Sequence, residues 1–181
     1  YDMNANGKAD VVMLGNVTIN GAKGAYVGYR KDGDTSTWEN ISFLNNPDNV
    51  QWNAKVGNMT GNKNSTMLGT GDFNGNGKDE ILFLYNGSLY TTDIDGNFVS
   101  LGNAAGWNVC AIGDFSADGK DDLILFHKET GSVMKYENGQ SSQWSSLGQL
   151  DAGDWFIVGA GDYNGDGKDD LLVRQYSTGM L

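Results

Sequence analysis

The stretch Asp162-Tyr163-Asn164-Gly165-Asp166-Gly167-Lys168-Asp169-Asp170 decides the fold, because the chain contains it in four related copies. We number these copies loop 1 (residues 2–10), loop 2 (72–80), loop 3 (114–122) and loop 4 (162–170). Each copy has an oxygen-bearing side chain at positions 1, 3, 5 and 9, glycine at position 6 and lysine at position 7. A motif that returns several times along a chain indicates a repeat architecture.

The loops have the composition of calcium-binding sites. Oxygen atoms are the ligands that Ca²⁺ takes, and glycine at position 6 lets the backbone curl so that positions 1, 3 and 5 surround one point. We expect position 7 to offer its backbone carbonyl and position 9 to close the site with a carboxylate. The alternative is a set of Asn-Gly hairpin turns that hold no metal. The predicted ligands are Asp2, Asn4, Asn6, Lys8, Asp10, Asp72, Asn74, Asn76, Lys78, Glu80, Asp114, Ser116, Asp118, Lys120, Asp122, Asp162, Asn164, Asp166, Lys168 and Asp170.

An EF-hand begins with the same residue types, but it needs a bidentate Glu at position 12 and flanking helices. Position 12 here is Met13, Phe83, Leu125 or Val173, so the EF-hand is excluded. Loops 3 and 4 each have three carboxylates among their ligand positions, and loops 1 and 2 have two. Because more negative charge binds Ca²⁺ more tightly, we expect up to four structural calcium ions, with loops 3 and 4 filling first.

The spacing of the loops predicts a β-propeller. Their first residues lie 70, 42 and 48 positions apart, and a period of about 40 to 50 residues is typical of a four-stranded propeller blade. A continuous apolar run follows each loop, as in residues 81–84 and 123–126, and such runs suit strands buried between neighbouring sheets. No stretch keeps a helical period. The predicted fold class is therefore all-β.

The chain fits a single propeller segment of about three and a half blades. We place its repeats at residues 1–51, 52–106, 107–154 and 155–181; the first lacks its innermost strand and the last is incomplete. The open sheet edges of such a segment need to be covered. We expect that cover to come from further blades of a seven-bladed propeller, or from a second copy of the chain in a homodimer.

The composition of the chain limits which classes of partner it can bind and where it is expected to be located. The formal net charge of −11 argues against a nucleic-acid partner, and the +8 of four bound Ca²⁺ ions would leave −3. Cys110 is the only cysteine, so no intrachain disulfide forms. The chain has no apolar run of about 18 residues, so we expect no membrane insertion. Oxygen sites of this type fill where calcium is millimolar, which favours an extracellular or cell-surface location.

Loop 4 with its flanking residues, 161–173, resembles the FG-GAP or VCBS-type repeats. These repeats build the calcium-bound β-propellers of integrin α chains and of many secreted bacterial proteins. The resemblance covers nearly the whole chain and implies a propeller with structural calcium. Members serve as adhesion heads, as propeller lectins and as accessory modules beside secreted carbohydrate-active enzymes. Asn6 and Asn76 at position 5 and Glu80 at position 9 depart from the pattern, which leaves the occupancy of loops 1 and 2 open.

We find no catalytic constellation outside the loops, so we expect a protein that is not an enzyme. The adjacent carboxylates Asp169 and Asp170 do not form a glycosidase pair, because neighbours on one strand point to opposite faces. We expect a calcium-stabilised binding or adhesion module of a larger secreted or surface protein, with a protein or glycan ligand of unknown identity.

Two alternatives remain for the function. One is a carbohydrate-binding propeller lectin, and the other is part of a secreted polysaccharide-degrading enzyme. The five tryptophans either line sugar sites or pack between blades. We expect packing for most of them, with Trp38 and Trp144 as the exposed pair.

Overall fold

The computed structural model describes residues 2, 4–8, 11–19, 22–30, 39–40, 65–93, 95 and 97–181. The chain divides into two compact units, one made of residues 1–70 and 77–100 and the other of residues 71–76 and 101–181. Within the described ranges, the strands form four sheets. The predicted repeat boundaries remain a prediction.

The first sheet consists of a long hairpin and a short third strand, in the order β1-β2-β3. Strand β1 (Val11–Ile19) runs antiparallel to β2 (Ala22–Arg30). Strand β3 (Glu39–Asn40) pairs with the far end of β2. The apolar run that follows loop 1 therefore begins a strand, as predicted.

The second sheet has four strands in sequence order. They are β4 (Ser65–Gly71), β5 (Glu80–Tyr85), β6 (Ser88–Thr92) and β7 (Phe98–Asn103). Residues Asn86 and Gly87, with φ of 48° and 77°, connect β5 to β6. Two consecutive residues with positive φ form the tight hairpin turn that matches the twist of the flanking strands.

The third sheet also has four strands in sequence order. They are β8 (Trp107–Gly113), β9 (Asp122–His127), β10 (Ser132–Tyr136) and β11 (Trp144–Gln149). A 3-10 turn, Glu137–Gly139, leads from β10 towards β11.

The fourth sheet repeats the beginning of the third. It pairs β12 (Trp155–Gly161) with β13 (Asp170–Gln175), and β12 packs next to β8. Cys110 in β8 and Val158 in β12 are each skipped in the pairing with the next strand. Both first strands thus have a β-bulge at the same place in their repeat, four residues before the first residue of the loop.

The core is centred on the strand that follows each loop. Residues 81–83 of β5 and 123–125 of β9 are at most 1% exposed. Consecutive residues point to opposite faces of a strand, so both faces of these two strands are covered. Each such side chain stabilises the fold by about 1.5–3 kcal/mol. The prediction of buried strands from continuous apolar runs is confirmed for β5 and β9.

The all-β class is confirmed for the part of the chain that the structure describes. Apart from the 3-10 turn, its regular elements there are strands. No helix within those ranges has the length and apolar character needed to cross a membrane.

Candidate metal-binding loops

Each loop leads directly into a strand. Loops 2, 3 and 4 connect the first strand to the second, β4 to β5, β8 to β9 and β12 to β13, and loop 1 precedes β1. The residue at position 9 is the first residue of the second strand in three loops, namely Glu80, Asp122 and Asp170. Asp10, the corresponding residue of loop 1, lies outside the described residues.

The aspartate at position 1 anchors the turn of its own loop. In loop 3, Asp114 Oδ1 accepts the backbone N–H of Asp118 at 3.1 Å, and Oδ2 accepts that of Gly119 at 2.8 Å. A carboxylate has about four lone-pair sites, so two such bonds leave acceptor capacity for a cation. Comparable bonds, accepted from backbone N–H groups at positions 4 to 6 of the same loop, join Asp2 to Asn6 and Gly7, Asp72 to Gly75 and Asn76, and Asp162 to Gly165, Asp166 and Gly167.

The side chain at position 5 holds the next turn of the loop. Asp118 Oδ1 accepts the backbone N–H of Lys120 at 3.0 Å, and Asp166 Oδ1 accepts that of Lys168 at 2.9 Å. Asn6 makes the same bond to Lys8 in loop 1. The lysine at position 7 is therefore fixed through its backbone, as its proposed role as a carbonyl ligand requires.

Two positions in every loop have left-handed backbone. Position 6 is glycine throughout, with φ between 79° and 86°. Position 4 is also left-handed, at Ala5, Gly75, Ala117 and Gly165, with φ between 57° and 79°. Two of these four residues are alanine, and a Cβ in this conformation costs roughly 1–2 kcal/mol. The sequence pattern pointed to position 6 but not to position 4, because alanine there concealed the requirement.

Among the predicted ligands that the structure describes, Asp122, at position 9 of loop 3, is the most buried. Its residue is 0% exposed, and its Oδ1 accepts the backbone N–H of Asn138 at 2.8 Å. Its Oδ2 has no hydrogen-bond partner and lies 3.7 Å from Lys135 Nζ, which is closer to Glu137, at 2.8 Å. The side-chain oxygen of Asn138 is a second buried acceptor without a donor. This corner of loop 3 therefore has more acceptors than donors.

The electrostatics of loop 3 differ between its two ends. Burial raises the pKa of Asp122 above its ordinary value, although the bond from Asn138 and the charge of Lys135 oppose the shift. At Asp114, burial also raises the pKa, but the N–H groups of Gly119 and Asp118 outweigh it, so the pKa lies below the ordinary value. Asp2 in loop 1 shows the same balance. Backbone donors thus favour the charged form of Asp114 and Asp2.

The structure brings some of the predicted ligands together and keeps others apart. In loop 3, Ser116 Oγ donates to Asp114 Oδ1 at 3.5 Å. In loop 4, Asn164 Nδ2 donates to Asp170 Oδ1 at 3.2 Å. Across the described residues, no three Asp, Glu, His or Cys side chains gather into a metal-binding group. The three carboxylates predicted as ligands in loop 3, and the three in loop 4, are therefore not gathered around one point in the described structure.

Position 8 has a structural role that sequence reasoning missed. Asp72 donates its backbone N–H to Asp121 Oδ2 at 2.7 Å, and its backbone oxygen accepts the N–H of Asp121 at 2.9 Å. Asp114 and Asp169 make the same two bonds, at 3.0 and 2.9 Å. We call this pair of bonds, between position 1 of one loop and position 8 of the next, the repeat lock.

A third repeat lock joins Asp2 and Asp79, with both bonds at 3.2 Å. The sequence contained the signal, since position 8 is aspartate in loops 2, 3 and 4 and alanine only in loop 1. The signal was hidden because a ligand pattern of positions 1, 3, 5 and 9 gives position 8 no role.

Two of the loops lie in a segment that matches a known family. Residues 114–173, from the first residue of loop 3 to the apolar strand after loop 4, match the family described as the FG-GAP-like repeat. This segment is similar to FG-GAP-like repeats, and the rest of the chain lies outside the match. The resemblance predicted from the loop motif is confirmed there. None of the curated proteins matches the chain.

The chain is also similar to a solved structure. That structure is of an Agrocybe aegerita lectin described as specifically recognising non-reducing terminal N-acetylglucosamine. The match has a TM-score of 0.54 and 12% sequence identity, and it covers 93% of this chain and 47% of the lectin chain. The chain therefore spans about half the length of that lectin. At this identity the likeness concerns the fold alone, and with the family match it confirms the predicted β-propeller class.

Proposed function

We propose that the chain is a non-catalytic, calcium-stabilised binding module built from FG-GAP-like repeats, part of a larger secreted or surface protein. The observation that carries the calcium assignment is Asp122 Oδ2, a buried carboxylate oxygen without a hydrogen-bond donor. Within the described residues, its only charged partner is Lys135 Nζ at 3.7 Å, and a buried charged group that lacks a hydrogen bond costs about 1–3 kcal/mol or more. A cation at loop 3 would supply the missing partner.

The residues of the loops fit Ca²⁺ in their chemistry. Every predicted side-chain donor is a carboxylate, amide or hydroxyl oxygen, and Ca²⁺ takes 6–8 such ligands in flexible geometry. In loop 3 the ligands would be Asp114, Ser116, Asp118, the Lys120 carbonyl and Asp122. The ion would neutralise carboxylates of the loop and would tie the ends of β8 and β9. Up to four ions are proposed, with loops 3 and 4 binding most tightly.

Calorimetry and thermal unfolding of the full chain test this proposal. We expect heat of binding on addition of CaCl₂ and a higher Tm in calcium than in chelator, because a ligand that binds only the folded state stabilises it by about 2.7 kcal/mol at a hundredfold excess over Kd. Asp114→Asn should remove one tight site. Glu129→Gln, which removes a charge from an exposed turn outside the loops, should remove none.

Calcium binding with no loss in Asp114→Asn would refute the assignment of loop 3. A Tm that is the same in calcium and in chelator, with no heat of binding, would refute the calcium proposal as a whole. If the sites prove to need millimolar calcium, the extracellular or cell-surface location that we propose gains support.

Glycan binding is a second candidate for what the module recognises. It is favoured by the likeness to the lectin and by Trp144, whose residue is 56% exposed at the start of β11. An exposed indole offers a flat apolar face on which a sugar ring can stack. Trp38, the other tryptophan that we expected to be exposed, lies outside the described residues.

The cavity between the third and fourth sheets does not fit a sugar. It has a volume of about 190 Å³ and is lined almost entirely by aliphatic side chains, among them Val133, Leu147, Ile157 and Val173. A sugar site needs convergent polar groups that fix orientation. We therefore assign the candidate glycan contact to the exposed face of β11 rather than to this cavity.

A glycan array that includes terminal N-acetylglucosamine tests the second candidate. We expect binding that Trp144→Ala abolishes and that Trp144→Phe partly retains, because phenylalanine keeps an apolar ring. Phe156→Ala is a matched control, since it removes another exposed aromatic side chain from β12. Absence of binding to any glycan, or equal loss in both alanine variants, would remove this candidate and leave a protein ligand.

A further inference from the structure

We infer that the end of the fourth sheet is a docking surface for one further repeat that has aspartate at position 8 of its loop. The surface consists of Gly161 and Asp162 together with the exposed apolar side chains of Phe156, Val158 and Tyr163. The inference rests on the repeat lock and not on calcium.

The repeat lock is the first argument, because it shows what occupies this place elsewhere in the chain. In three successive pairs, the carboxylate at position 8 of one loop accepts the N–H of position 1 of the loop before it. The backbone N–H at position 8 donates to the same residue in return. The bonding is therefore reciprocal and depends on one side chain only. Asp162 has the same place in loop 4 as Asp72 and Asp114 in theirs.

The glycine that precedes position 1 is the second argument. A Cβ on Gly71 would lie 2.7 Å from Asp121 Oδ2, and a Cβ on Gly113 would overlap Asp169 Oδ2. Glycine is required at Gly113 because the carboxylate of the next repeat occupies the space, and at Gly71 because that carboxylate and the Ile112 side chain both do. At Gly161 the nearest atoms, at 3.6–3.8 Å, belong to Tyr163 of its own loop. Within the described residues, loop 4 therefore has the glycine and the space without the carboxylate.

The apolar face is the third argument. Phe73, at position 2 of loop 2, is only 6% exposed and packs beside Gly139 in the 3-10 turn of the third sheet. Tyr163, at the same position of loop 4, is 60% exposed. Phe156 and Val158 of β12 are each about half exposed. Tyr163 is thus exposed where its counterpart Phe73 is covered by the third sheet, and it adds to the exposed apolar side chains of Phe156 and Val158.

The residue at position 8 of each loop indicates which repeat would dock on this surface. A second copy of this chain would present loop 1, whose position 8 is Ala9 and has no carboxylate. Its other position-8 residues, Asp79, Asp121 and Asp169, are already bound within their own chain. The occupant that completes the repeat lock is a further FG-GAP-like repeat whose position-8 aspartate is not otherwise engaged.

Ala9→Asp in the full chain tests the inference, because it gives loop 1 the missing carboxylate. We expect this variant to self-associate head to tail at least about tenfold more tightly than the wild type, through charge-assisted hydrogen bonds to Asp162. Sedimentation equilibrium measures the association, in calcium and again in chelator. Aspartate at this position is compatible with folding, since loops 2, 3 and 4 have it. Ala9→Glu repeats the test with a longer carboxylate.

Two matched variants make the test specific. Ala9→Leu changes size without a carboxylate and should associate like the wild type. Adding Gly161→Ala to Ala9→Asp places a methyl group where the carboxylate is expected, so the gain should disappear. The inference is overturned if Ala9→Asp and Ala9→Glu associate no more tightly than Ala9→Leu, or if the gain survives Gly161→Ala. Association that persists in chelator but fails with Gly161→Ala supports the repeat lock even if the loops bind no calcium.

Discussion

Gly113 and Gly161 occupy the same place in successive repeats, but their surroundings differ. Gly113 faces the carboxylate of Asp169, whereas Gly161 faces only the ring of Tyr163. Neither glycine has positive φ, so backbone conformation does not explain the need for glycine at position 113. The reason is the space that the repeat lock takes up. A glycine that looks like a simple turn residue in the sequence is thus part of the contact between two repeats.

Gly113→Ala should destabilise the protein and Gly161→Ala should not. The new methyl group at position 113 displaces the Asp169 carboxylate, and overpacking of this kind costs about 1–3 kcal/mol. At position 161 the methyl group has room, and the lower entropy of the unfolded chain should give a gain of about 0.4–1 kcal/mol. Urea unfolding of both variants measures the difference. Equal midpoints for the two variants would contradict the assigned role of Gly113.

At the scale of elements, sequence and structure agree best for the strands after the loops. The continuous apolar runs of β5 and β9 predicted strands covered on both faces, and the structure shows them so. Pairing details were beyond prediction. The bulges at Cys110 and Val158 depend on how the first strand of each sheet pairs with the second strand. No residue type in these strands marks the position of the bulge in the sequence.

Asp169→Ala should loosen the third sheet from the fourth while leaving both sheets folded. The variant loses the charged acceptor of the Asp114 N–H, a bond of about 1.5–3 kcal/mol at most, but it keeps its own backbone bond to Asp114. Hydrogen exchange of the Asp114 amide should become faster, and urea unfolding should show a lower stability. Glu129→Ala, in an exposed turn of the third sheet, is the control and should change neither. Unchanged exchange at Asp114 would show that the repeat lock contributes nothing.

At the scale of the whole molecule, the net charge of −11 shapes stability. The acidic residues of the loops lie close together in sequence, and their repulsion opposes folding unless a cation neutralises it. The proposed calcium ions and dissolved salt both reduce this repulsion, but they act differently: an ion bound in a loop acts at contact distance, whereas salt screens at long range.

Stability in chelator should therefore rise with NaCl, and stability in calcium should depend on it less. Between about 0.1 M and 1 M salt the Debye length falls from about 10 Å to about 3 Å, which removes most of the repulsion between exposed carboxylates. Thermal unfolding over a salt series, with and without calcium, measures both slopes. Equal slopes in the two conditions would mean that no bound ion neutralises the loops.

The sequence by itself determined the all-β class, the β-propeller and the likeness of residues 114–173 to FG-GAP-like repeats, because these follow from local patterns. Loop composition, glycine at position 6 and apolar runs act within a few residues, and repetition makes such short signals specific. Three features were decided by the tertiary structure alone. They are the repeat lock, the burial of Asp122 with its hydrogen bond from Asn138, and the difference in exposure between Tyr163 and Phe73. Each of these depends on which repeat packs against a residue. Residues some fifty positions apart, such as Asp114 and Asp169, meet only after their sheets have packed.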